Sequence, residues 1–102
     1  MDSHSIAEMT SGLASRVNNL AILATGDQSR QLLAQQDELA KLAMAAIVKD
    51  LNSERADYKS AVAALEAAIQ FVGKADKQIS NIANAISLVA KALTEVGKVI
   101  AG

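Results

Sequence analysis

The segment that decides the fold is KQISNIANAISLVAKALTEVGKVI, residues 77–100. Its large aliphatic residues recur in alternating steps of three and four: Ile79, Ile82, Ile86, Val89, Leu93, Val96 and Ile100. That spacing places them on one stripe of an α-helix, with Asn84, Lys91 and Lys98 on the opposite side. Small residues flank the stripe on both sides: Ala83, Ala90 and Gly97 on one, and Ala85, Ala92 and Val99 on the other. We therefore expect two neighbouring helices to pack closely against this one, as in a bundle.

The composition of the whole chain also favours helices. Of the 102 residues, 51% are hydrophobic but only 2% are aromatic, and the chain has no Pro, Trp or Cys. Ala and Leu have high helix propensity, whereas strands favour β-branched and aromatic residues. No segment alternates apolar and polar residues over the length of a strand. The sequence therefore predicts an all-α protein, and its length corresponds to a single domain over residues 1–102.

Three breaks divide this domain into helices. The first helix begins at the capping box Ser5–Glu8 and ends at Gly26, which we predict to adopt the left-handed conformation. Asp27 follows and is a suitable cap for the second helix. That helix extends to about Leu51, and its predicted core stripe is Leu32, Leu39, Ala43, Ala46, Ile47 and Leu51.

The second break, near Asn52 and Ser53, leaves two architectures open. No Gly or Pro occurs between residues 26 and 73, so one continuous helix is conceivable. Continuing the apolar stripe, however, places charged Glu54 or Arg55 in the core, and Asn52 and Ser53 are both good helix caps. We therefore favour a break, followed by a third helix over residues 53–72.

The third break is predicted at Gly73, where the heptad phase also slips. A turn through Lys74 and Ala75 would let Asp76 cap the last helix. The resulting four segments are each about 30 Å long at 1.5 Å per residue. Four such helices with short loops predict an antiparallel up-down-up-down four-helix bundle, and the alternative is three helices with the middle two fused.

Charge and targeting signals narrow the functional classes. Ten Lys and Arg against eleven Asp and Glu give a net charge of −1, and the basic residues are scattered singly. Nucleic-acid binding requires a concentrated positive face, so we expect no nucleic-acid partner. The N-terminus does not resemble a signal peptide, and the longest apolar run, residues 42–48, is far shorter than the roughly 20 residues that span a bilayer. We expect a cytoplasmic protein unless dedicated export machinery recognises it.

Residues suited to catalysis are almost absent. His4 is the only histidine and lies outside any metal-binding spacing, and no cysteine nucleophile is present. Asp37 and Glu38 are adjacent and diverge on a helix, so we predict that Asp37 pairs with Lys41 instead. The sequence therefore predicts no enzyme activity, no catalytic residues, no metal site and no cofactor.

An interaction surface is the remaining candidate. Residues 42–48 are apolar all round the second helix, and Ser60, Ala64, Ala67 and Phe71 lie away from the core stripe of the third. Phe71 either folds over the end of the bundle, half-buried, or belongs to a surface for association. The predicted surface comprises Leu42, Met44, Ala45, Val48, Ala64, Ala67 and Phe71.

Two functional hypotheses follow from this pattern. The first is a non-enzymatic protein–protein interaction or structural module that forms a homodimer or higher oligomer, or binds a helical protein partner. The alternative is a membrane-active protein, because residues 74–102 contain four lysines, one glutamate and a wide apolar face. That segment has no aromatic residue, which counts against an interfacial anchor.

Overall fold

The computed structural model describes the backbone of residues 3–49, 51–75 and 78–102 and, within these ranges, all side chains except those of residues 3–5 and 79. Four helices form this part of the chain: α1 (Ser3–Leu23), α2 (Gly26–Val48), α3 (Ala56–Lys74) and α4 (Ile79–Ala101). No strand occurs in these ranges. The all-α, four-helix prediction is confirmed, and the fused middle helix is excluded because α2 ends eight residues before α3 begins.

The helices form a bundle with extents of 38 × 19 × 17 Å. Helix α1 packs on α2 and α3, and α4 packs on the same two helices. The C-terminal ends of α1 and α3 share a groove lined by Leu23, Val72 and Gly73, so these two helices are parallel. Gly102, after α4, lies beside Arg55 at the start of α3, so α3 and α4 are antiparallel. The up-down-up-down directions are therefore as predicted.

The order of the helices around the bundle is α1, α2, α4, α3. Among the described residues, α2 and α3 make at most marginal contact, and so do α1 and α4, because each pair lies on a diagonal. Residues 49–55, which join α2 to α3, are enough to cross the end of the bundle. The molecule is thus built from two helical hairpins, α1–α2 and α3–α4.

The turn between α1 and α2 is built on Gly26, whose φ of 58° confirms the predicted left-handed conformation. Glycine adopts this region without the steric cost that a Cβ atom imposes. The predicted cap is wrong, because Thr25 occupies the N-cap position of α2 and makes no capping side-chain hydrogen bond. Asp27 lies in the first turn, where its charge favours the helix dipole, and it forms an ion pair with Arg30.

The α2–α3 connection begins earlier and ends later than predicted. Leu51 lies in this linker rather than in α2, and its side chain is buried, which anchors the linker on the core. The side-chain oxygen of Asn52 accepts a hydrogen bond from the backbone N–H of Glu54 at 2.9 Å. Because Asn52 closes this local turn, the helix starts only afterwards, and Arg55 rather than Asn52 or Ser53 is its N-cap.

Three further boundaries differ from the predictions. Helix α1 starts at Ser3, so the predicted cap Ser5 lies inside the helix. Helix α3 continues through Gly73 and ends at Lys74, with Ala75 as its C-cap. The predicted cap of α4, Asp76, lies outside the described residues, and Gln78 occupies the N-cap position.

Helix α4 contacts two neighbours as expected, but it is rotated relative to the predicted stripe. Buried residues include Ile82, Val89 and Val96 from that stripe. The other three described members are only partly buried: Ile86, Leu93 and Ile100. Their place in the core is taken by one flank of the stripe: Ala85, Ala92 and Val99. Small side chains on this flank allow a close approach of the neighbouring backbone, which explains the rotation.

Candidate functional site

The ion pairs among the described residues join near neighbours in sequence. The predicted pair of Asp37 with Lys41 is present, with 3.1 Å between Oδ2 and Nζ. Arg55 pairs with Asp57 at 2.7 Å, and Lys98 lies 3.9 Å from Glu95. In the described ranges, no group of three His, Cys, Asp or Glu side chains could hold a metal ion. Each of these ion pairs lies on the surface of the molecule and joins residues two to four positions apart in the sequence.

Two polar side chains lie at packing interfaces between helices. The Thr10 hydroxyl of α1 is fully buried, and it has no hydrogen-bond partner among the described residues. Gln35 of α2 donates a hydrogen bond from Nε2 to the backbone oxygen of Ile86 in α4, at 2.9 Å. This bond links the two hairpins, so Gln35 has a structural role in the bundle.

The feature that distinguishes one side of the molecule is a set of exposed apolar side chains. All the large hydrophobic residues exposed in the described chain belong to the α1–α2 hairpin: Ile22, Leu23, Leu33, Met44, Ile47 and Val48. Met44 is 70% exposed and Val48 is 85% exposed. Helices α3 and α4 leave no large apolar side chain exposed among their described residues. Among the described residues, the exposed large apolar side chains are therefore confined to the α1–α2 hairpin.

A groove between α1 and α2 is lined by two of these exposed side chains. Its volume is about 780 Å³, and its wall on α2 includes Met44 and Ile47. The side formed by α1 is lined mainly by small residues: Ala7, Glu8, Ser11, Gly12, Ala14 and Ser15. Because Glu8 is the only charged residue among the described lining residues, the groove is suited to an apolar side chain.

Heptad spacing extends this surface along the length of the hairpin. Leu33 and Ile47 lie seven residues before and after Ala40, and Ile22 lies seven residues after Ser15. Residues seven apart share one side of a helix. We call the surface formed by Glu8, Ser15 and Ile22 of α1 and by Leu33, Ala40, Met44 and Ile47 of α2 the α1–α2 face.

The predicted interaction residues of α2 divide between two environments. Met44 and Val48 are exposed, and Met44 belongs to the α1–α2 face. Leu42 and Ala45 are half-buried, and Leu42 packs against the core.

The predicted residues of α3 lie elsewhere. Ala64 and Ala67 line a separate groove of about 310 Å³ together with Leu88 of α4. Phe71 is half-buried and packs against the core. Since α2 and α3 lie on a diagonal, the structure does not join the two predicted groups into one surface.

Sequence reasoning missed Ile47, Leu33 and Ile22. The prediction placed Ile47 in the core stripe of α2, but its side chain is 57% exposed. The signal was present, because α2 carries a second apolar heptad, residues 33, 40 and 47, directly beside the buried heptad 32, 39 and 46. Only one of two adjacent stripes can point to the centre of a bundle.

The apolar stripe of α4 bears on the membrane hypothesis. Its residues Ile82, Val89 and Val96 lie in the core, so contact of this stripe with lipid would require α4 to leave the bundle. Among the described helices, none combines the length and the apolarity that crossing a bilayer requires.

Comparisons of the chain with models of protein families, with curated protein sequences and with solved structures found no match.

Proposed function

We propose that the protein is a non-enzymatic protein–protein interaction module that self-associates through the α1–α2 face. The observation that carries this proposal is the confinement of exposed large apolar side chains to one hairpin. Single exposed hydrophobic residues are ordinary on protein surfaces, whereas a contiguous apolar patch marks a contact surface. Met44 and Ile47 lie beside the same groove, and Leu33 shares their side of α2.

The expected strength of the contact follows from its size. Full burial of one Leu, Ile or Met side chain contributes about 1.5–3 kcal/mol. The side chains of Leu33, Met44 and Ile47 are 48%, 70% and 57% exposed, so association can bury only this remaining part of each side chain. In a dimer the three side chains of both copies together supply roughly 5–10 kcal/mol, which is on the order of the cost of losing rotational and translational freedom on association. We therefore expect the contact to be reversible and to depend visibly on protein concentration.

The test compares two single charged substitutions, one on each hairpin. Met44→Glu places a charge in the middle of the α1–α2 face, and Ala67→Glu places one on the exposed side of α3. Ala67 is the matched control because it belongs to the other group of predicted interaction residues. Molar mass is measured by sedimentation equilibrium at several concentrations, with far-UV circular dichroism to establish that each variant is folded.

The proposal has a defined outcome. Wild type and Ala67→Glu should exceed the monomer mass of 10.6 kDa as concentration rises. Met44→Glu should stay monomeric, with a dissociation constant raised at least about tenfold, because association would bury an unpaired carboxylate. If Met44→Glu associates as wild type does, or if all three proteins remain at 10.6 kDa, the proposed function is wrong.

A further inference from the structure

This inference rests on the proposed function and specifies its partner. We infer that the α1–α2 face binds the same face of a second copy, with α2 of the two copies antiparallel and crossing at Ala40. The two-fold axis would lie in the interface, perpendicular to α2. Four observations support this arrangement: the positions of the bulky residues, the position of the groove, the charge pattern and the area of the face.

The bulky residues of α2 are placed symmetrically about Ala40. Leu33 precedes it by seven residues and Ile47 follows it by seven. A two-fold axis at Ala40 therefore brings Leu33 of each copy against Ile47 of the other. A two-fold interface has to be complementary to itself, and this pattern meets that condition. The small side chain of Ala40 lies where the two helix axes come closest.

The groove provides a matching recess. It lies beside the second half of α2, along Ala40, Met44 and Ile47. Leu33, in the first half, is 48% exposed and projects from the same side of the helix. The antiparallel arrangement places Leu33 of the second copy level with Ile47, at the groove. A parallel arrangement would instead place Leu33 against Leu33 and Ile47 against Ile47.

The charges of α2 are also complementary about this axis. Asp37 and Lys41 form an ion pair within the helix, and Asp27 pairs with Arg30. The two-fold axis brings Asp37 of the second copy level with residue 43, about 3 Å along the helix axis from Lys41 at 1.5 Å per residue. Lys41 of each copy would therefore lie near two Asp37 carboxylates, one in its own helix and one in the other copy. No excess charge on this side of α2 favours an acidic or basic partner instead.

The hairpin side is large enough to form one half of a protein–protein interface. A side of the bundle 38 Å long and 17–19 Å wide presents about 700 Å² in projection, and stable interfaces bury about 800 Å² per partner. The apolar stripe from Leu33 to Ile47 spans about 21 Å at 1.5 Å per residue. Covering this length requires a partner helix of several turns, which α2 of a second copy supplies.

The experiment uses the absence of cysteine from the chain. Ala40→Cys introduces one thiol at the proposed axis, and Ala63→Cys introduces one at an exposed alanine of α3 as the matched control. Both variants are treated with a short bismaleimide at the same protein concentration. We expect the Ala40→Cys dimer to form at least about ten times faster, because the facing helix axes lie about 8–10 Å apart. Equal rates for the two variants would overturn the inference.

A second pair of variants tests the direction of the helices. Leu33→Cys and Ile47→Cys should each cross-link poorly alone, since identical thiols would lie about 21 Å apart along the helix. A mixture of the two variants should cross-link efficiently into the heterodimer. Efficient cross-linking of each variant alone would indicate parallel helices and contradict the inference.

The failure of this inference can be distinguished from the failure of the proposed function. If Met44→Glu abolishes association but Ala40→Cys cross-links no faster than Ala63→Cys, the face is used and the proposed register is wrong. If Met44→Glu leaves the mass unchanged, the proposed function and the inference are both wrong.

Discussion

The two hairpins share one core, but they differ in where their remaining apolar side chains lie. Leu39 of α2 and Leu65 of α3 are both fully buried in it. The α3–α4 hairpin leaves no large apolar side chain exposed among its described residues, whereas α1–α2 exposes Met44, Ile47 and Val48 among others. This difference shows that an apolar stripe beyond what the core can hold becomes a surface.

Helices α2 and α4 illustrate the point. Each carries more apolar positions than a single core stripe requires. In α4 the additional residues turned into the core are mostly alanines, Ala85 and Ala92, which fit where helices approach closely. In α2 the additional heptad carries Leu33 and Ile47, and both remain exposed.

The largest effect is expected in the part of α4 that is buried. Val89→Asp places a carboxylate at a fully buried position, and an unpaired buried charge costs several kcal/mol, so this variant should be unfolded. Ile86→Asp should retain a folded state with a smaller loss, because Ile86 is only partly buried. Far-UV circular dichroism and urea titration measure both. Equal losses would contradict the rotation of α4 described above.

Core truncations in the two hairpins should have similar effects. Leu39→Ala and Leu65→Ala each remove a fully buried side chain, and each should lower the free energy of unfolding by about 2–5 kcal/mol. Both should shift one cooperative transition, since the two hairpins contribute to one core. Urea unfolding followed by circular dichroism is the measurement. Two separate transitions, only one of which moves, would show that the hairpins fold independently.

Glutamate substitutions on the two hairpins should separate stability from association. Phe71→Glu should lower the free energy of unfolding by about 1–3 kcal/mol, because the ring packs against the core, and should leave association unchanged. Met44→Glu should change the stability of the monomer by less than about 0.5 kcal/mol and abolish association. Dilute urea titrations together with sedimentation measure both properties. The opposite pattern would assign the contact surface to α3.

The smallest expected effect concerns the buried hydroxyl of α1. The Thr10 hydroxyl is buried and has no hydrogen-bond partner in the described structure. Thr10→Val replaces it with a methyl group of similar size. We expect the free energy of unfolding to rise by about 1 kcal/mol, since an unsatisfied buried hydroxyl costs about 1–3 kcal/mol. A decrease in the urea midpoint would show that the Thr10 hydroxyl has a partner in solution.

Local signals predicted the elements of the fold well. The helix count, the left-handed Gly26 and the break before α3 each depend on a few neighbouring residues, and all three are confirmed. The placement of α2 and α3 on a diagonal depends on how two hairpins pack, and no short segment encodes it. The rotation of α4 likewise depends on the depth to which its alanines enter the core.

The candidate site was predictable only in part. The uninterrupted apolar run drew attention to Met44 and Val48, and both are exposed. Ile47 was assigned to the core because periodicity alone does not say which of two adjacent heptads faces inward. The contribution of α1 was missed because its small residues form a groove only when α2 lies beside them.

The most direct test of the central claim uses two methionines as probes. Met44 lies on the α1–α2 face, whereas Met9 of α1 is partly buried against the core. Methyl resonances of ¹³C-labelled methionine are followed by NMR in a dilution series, alongside molar mass by light scattering. Self-association through the α1–α2 face predicts that the Met44 signal shifts over the concentration range in which the mass rises above 10.6 kDa, while the Met9 signal stays in place. A Met44 signal that does not change while the mass doubles would contradict it.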